Sequence, residues 1–140
     1  MGIAKTRSPA ACSSLLARPN DMFERTSSPS APRILLHSHD SFGLGHLRRT
    51  LTLAEALRLR LPQAQILLTT GSPCATHFEA HPGIDVVKLP SVTKNASGEY
   101  VPRTLGGELD PLLRLRRQML SEIHRTFAPD LLVVDHQVLG

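Results

Sequence analysis

The chain has no Trp, one Tyr and four Phe in 140 residues. So few flat rings exclude a stacking platform for single-stranded nucleic acid or for sugar rings. There are two cysteines, Cys12 in a polar stretch and Cys74 after an apolar run. Two thiols in such unlike settings make no disulfide framework, and a reducing, cytoplasmic location is the expectation. No apolar run reaches the about 20 residues of a membrane-spanning helix. A large excess of one charge is missing as well. Lys and Arg number 16 against 12 Asp and Glu, and residues 33–140 hold twelve and ten of them. That balance excludes the strongly basic domain of a nucleic-acid binder. It fits an anionic small molecule or lipid head group, which adds peripheral membrane contact as an expectation.

What is present divides in two. Residues 1–32 are rich in Ser, Pro, Ala and Arg without sustained periodicity. Such composition reads as a disordered tail, or as an over-extended start with translation beginning at Met22. From residue 33 onward short apolar runs alternate with helical patterns. Ile34-Leu35-Leu36, Ile66-Leu67-Leu68, residues 84–89 and Leu131-Leu132-Val133-Val134 read as strands buried on both faces. Leu47, Leu51, Ala54, Leu57 and Leu61 recur at helical spacing over residues 46–61, and Pro62 ends the run. A short helix is predicted over 74–80 and a longer one over 109–127. Residues 91–107 read as a long polar loop. The fold class is therefore α/β, a Rossmann-like doubly wound parallel sheet in the order 3-2-1-4. In that order the first and fourth strands are neighbours, and the crevice above them brings the loop after the first strand to Asp135 and His136.

That loop holds the densest chemistry. His37-Ser38-His39-Asp40 ends the first strand, and Gly43-Leu44-Gly45-His46 opens the helix. Arg48 stands where a dinucleotide motif needs its third glycine, and Thr69-Thr70-Gly71 closes the second strand without a ribose-binding acid. Neither a nicotinamide or flavin dinucleotide nor a P-loop nucleotide is expected. His37 and His39, two apart, would share a side of the strand. With Asp40 and Asp135 they could form the ligand set of a small metal-dependent hydrolase. His46, at a helix start, could accept a proton from a hydroxyl as a neutral imidazole. Arg48 and Arg49 oppose the helix dipole there, so they serve an anion or point to solvent. Arg114, Arg116 and Arg117 read as a solvated face.

Strand, Gly-x-Gly-His and Leu/Ala-rich helix together resemble the N-terminal domain of GT-B glycosyltransferases, in the branch related to family 28. Four blocks are similar to a group of bacterial predicted glycosyltransferases. They are Ser38-His39-Asp40-Ser41-Phe42-Gly43-Leu44-Gly45-His46-Leu47-Arg48-Arg49, Thr70-Gly71-Ser72-Pro73, Lys88-Leu89-Pro90-Ser91-Val92-Thr93-Lys94 and Pro129-Asp130-Leu131-Leu132-Val133-Val134-Asp135. The resemblance covers residues 33–140. It implies an acceptor-binding domain facing a second, donor-binding one across a cleft, with a nucleotide-diphosphate sugar and a hydroxyl acceptor as substrates. It implies no metal and no cofactor. Gly43, Gly45 and His46 match the glycine loop of the family. His46, or an acid such as Asp40 or Asp135, would act as base. His39, Gly43, Leu44, Gly45, Arg48, Thr93, Lys94 and His136 would contact substrate. With no donor domain before residue 140, the expectation is an incomplete and by itself inactive acceptor-side domain. The remaining alternatives are the metal hydrolase and a non-catalytic remnant.

Overall fold

A computed structural model of the chain describes residues 30–39, 44–78, 81–136 and 138–139. The N-terminal segment, Asp40 to Gly43, and the last two residues of the predicted 74–80 helix lie outside them. Among the described residues six strands and two α-helices follow in chain order. They are β1 (Arg33–Ser38), α1 (Gly45–Arg60), β2 (Gln65–Thr70), β3 (Ile84–Lys88), β4 (Val92–Lys94), β5 (Tyr100–Pro102), α2 (Leu109–Phe127) and β6 (Leu131–Asp135). Four of the strands form a parallel sheet in the order β3-β2-β1-β6. This is the Rossmann-like order expected, with β6 as the fourth strand of the sheet because a separate ribbon precedes it.

Register explains the core. Ile34 pairs with Ile66 and Leu131, and Ile66 with Ile84; Leu36 pairs with Leu68 and Val133, and Leu68 with Val86. In-register residues of parallel strands point to one face, so these make two apolar rows across the sheet. The α1 residues Leu47, Leu51 and Ala54, three or four apart, are buried in the same cluster. Thr50 joins this buried face by turning its hydroxyl back to the His46 carbonyl at 2.8 Å. Leu61, expected on the helix face, lies past its end and is exposed.

The opposite sheet face carries Leu35, His37 and Thr69. Together with Leu120 and His124 of α2 they line an apolar cavity of 270 Å³. Inside the sheet His37 Nδ1 meets Thr69 Oγ1 at 2.9 Å, and both residues are buried. Thr69→Val keeps the shape and removes that partner. It should cost on the order of 1 kcal/mol in urea denaturation.

Three expectations change. β6 is not buried on both faces: Leu131, Leu132 and Val134 are each more than 40% exposed, because no strand among the described residues pairs with its outer edge. The predicted 74–80 helix is a single 3-10 turn, Ala75–His77. The 91–107 loop contains the antiparallel ribbon β4–β5. Asn95 builds its turn by accepting the amides of Ser97 and Glu99 on Oδ1, and Gly98 takes a φ of +83°. Among the described residues no helix is long and apolar enough to cross a membrane.

Candidate functional site

The C-terminal ends of β1 and β6 and the first turn of α1 meet at one point. Ser38 pairs with Asp135 in the sheet. Asp130 holds β6 in this register from its other end: its carboxylate accepts the Arg33 amide at 2.8 Å and its own amide donates to the Arg33 carbonyl at 2.8 Å. β1 continues into α1 on one side, while β6 arrives from α2 on the other, so the connections diverge above the crevice.

Asp135 is the hub. Its Oδ2 lies 2.8 Å from His46 Nδ1, and its Oδ1 accepts from Arg49 Nη2. Arg49 Nη2 is also 3.0 Å from His46 Nδ1. One nitrogen cannot donate to the carboxylate and accept from the guanidinium at once. Partial burial works to raise the Asp135 carboxyl, but the hydrogen bonds and charges of His46 and Arg49 outweigh it and hold it below its ordinary value. The ionised carboxylate is the stronger acceptor, so Nδ1 carries the hydrogen directed at Asp135, and Nε2 is the ring nitrogen left to face a ligand.

Two more imidazoles complete the group. The His39 ring stands edge-on to those of His46 and His136, with centroids 5.4 and 4.9 Å away. The His46 and His136 rings are stacked at 6.0 Å. His136 has a φ of +73°, a left-handed conformation that costs a non-glycine residue energy and recurs at functional sites.

The structure sorts the expected site residues. It joins His39, His46, Asp135 and His136. Asp40 and Gly43 lie outside the described residues. Leu44 is the residue before α1, without a side-chain cap, and its carbonyl accepts the Arg48 amide. Gly45 opens the helix with an ordinary φ, and among the described residues nothing stands where its Cβ would be, so neither strain nor crowding from them requires glycine there. Arg48 turns away and lines a 200 Å³ cavity with Glu55, Phe78 and His81. The arginine that reaches Asp135 is Arg49, one helical turn after His46. Thr93 pairs with Val101 in the ribbon, and Lys94 sets its ammonium 5.0 Å over the Tyr100 ring. Neither is hydrogen-bonded to the cluster.

No family model, no curated protein and no solved structure matches the chain.

The His37-x-His39 pair does not converge. His37 bonds Thr69 and lines the cavity beside α2, while the His39 ring meets those of His46 and His136. Among the described residues no three of His, Cys, Asp and Glu are placed to hold a metal ion. The cluster can instead take up a proton on one oriented imidazole and present positive edges to an anion. The signal missed in the sequence is the three-residue step from His46 to Arg49, which puts both on one helix face.

Proposed function

We propose that this chain is the acceptor-side domain of a GT-B-type glycosyltransferase, with a nucleotide-diphosphate sugar as donor and a hydroxyl acceptor. The observation that carries the reading is the 2.8 Å contact of His46 Nδ1 with Asp135, which leaves Nε2 as an oriented base. Nε2 takes the proton of the acceptor hydroxyl as its oxygen bonds to the anomeric carbon. The bond from that carbon to the diphosphate breaks, and the nucleoside diphosphate leaves with the electron pair. Arg49 neutralises Asp135, and His39 and His136 flank the acceptor. Two further features favour a ligand at the first turn of α1. Among the described residues nothing lies over Gly45, and the fully buried Ser38 Oγ, on the sheet face that packs against α1, has no hydrogen-bond partner among them. An anion there would meet free helix amides. The reading places the reaction in the cytoplasm, in keeping with the free thiol of Cys74.

The test is an NMR titration of the chain with inorganic pyrophosphate. The imidazole signals of His39, His46 and His136 and the Gly45 amide should shift together, while those of His77 and His124 stay put. A titration that moves none of the first four overturns the reading. Zinc at one equivalent in the purified protein would favour the hydrolase instead.

A further inference from the structure

We infer that Arg116 is a positioning residue for the histidine cluster: it clamps the segment after β6 and thereby places His136. Arg116 lies in the middle of α2 and is fully buried, unlike the solvated arginine the sequence suggests. A guanidinium tolerates such burial only where its N–H groups meet acceptors. Nε donates to the Leu139 carbonyl at 2.6 Å, and Nη1 donates to the Pro90 carbonyl.

The two acceptors differ in kind. Pro90 belongs to a fixed frame at the ends of β2 and β3. Beside it the Leu89 amide donates to the Thr70 carbonyl at 2.8 Å, and Ser91 Oγ donates to the Gly71 carbonyl at 2.7 Å. Leu139 belongs to the irregular chain past β6, three residues beyond His136. The planar fork of Arg116 therefore ties the irregular segment to the rigid one. His136 holds a left-handed backbone that persists only when its surroundings fix it. Released from Arg116, Leu139 loses its tether, and the His136 ring leaves its contact with His39.

A lysine at this position keeps the charge but has one compact ammonium that cannot bridge two carbonyls in a plane. The functional meaning of the clamp rests on the cluster being the working site. The experiment reads only ring positions and hydrogen exchange, so its failure and that of the pyrophosphate titration are separate events. In the unaltered chain, NMR should show the Arg116 Nε–H exchanging far more slowly than that of the exposed Arg114. In Arg116→Lys the nuclear Overhauser contact between the His136 and His39 rings should be lost, while the His77 and His81 signals and the far-ultraviolet circular dichroism are retained. Arg114→Ala should keep the ring contact. Equal exchange at Arg116 and Arg114 overturns the proposal even if the lysine variant does not fold. So does an unchanged His136–His39 contact in a folded Arg116→Lys.

Discussion

Leu68→Ala is expected to cost about 3–4 kcal/mol, in the range of a fully buried leucine truncated in a close-packed core. Leu68 has no exposed surface and sits in the second apolar row of the sheet, paired with Leu36 on one side and Val86 on the other. Its strand β2 is paired with β1 on one side and β3 on the other, so the site cannot collapse sideways. Truncation removes three carbons' worth of burial and leaves a cavity under α1. Against a typical domain stability of about 5–15 kcal/mol, such a loss should lower the melting temperature by roughly 10–20 °C. Leu59→Ala is the internal control. Leu59 is 82% exposed on the outer side of α1, and its loss should change stability by no more than about 0.5 kcal/mol. Urea denaturation of the two variants checks the pair. A Leu68 loss comparable to that of Leu59 would mean that α1 does not pack on the sheet as described.

The two rows that hold Leu68 were legible in the sequence because each strand is an uninterrupted apolar run and the α1 face repeats every three or four residues. Strand order followed from the handedness of the crossovers, and it brought Asp135 to His46 across 89 residues of chain. The ribbon was not legible because β4 and β5 are three residues each, too short for alternation to stand out. Its turn signal, Asn95 followed by Gly98, was present. Arg116 was misplaced for the opposite reason. A charged residue was assigned to solvent by its type, although it falls four residues after the buried Leu112 and four before Leu120, on the helix face turned inward. The choice between Arg48 and Arg49 turned on a 100° step around α1 that composition does not carry. Strand periodicity likewise pairs His37 with His39, but β1 ends at Ser38, and the two rings have different partners, Thr69 for His37 and the rings of His46 and His136 for His39.

Asp135→Asn should remove on the order of 1–3 kcal/mol of stability at neutral pH, as for a hydrogen bond to a charged group, and the loss should narrow in acid. The sign follows from the direction of its shift. The carboxyl is held below its ordinary value of 3.8 in the folded chain, so the native state binds its proton less readily than the unfolded one. Its contribution is therefore complete above 3.8 and disappears as pH falls through the lower, folded value. Denaturation of both forms across this range should show the two stabilities converging as the pH drops. A gap that stays constant in acid would show that the packing of the side chain, and not its charge, sets the difference. The same substitution tests the imidazole. Arg49, a donor only, retains the amide oxygen and so turns the amide N–H toward Nδ1, where the carboxylate accepted a hydrogen; His46 should then change tautomer and carry its hydrogen on Nε2. Nitrogen-15 shifts of the ring distinguish the two forms. With Nε2 occupied, the cluster keeps its three rings but has lost the lone pair on which proton transfer from an acceptor hydroxyl depends. A variant that is folded at neutral pH but carries the wrong tautomer would thus separate the structural role of Asp135, anchoring α1 to β6 through His46 and Arg49, from its chemical one.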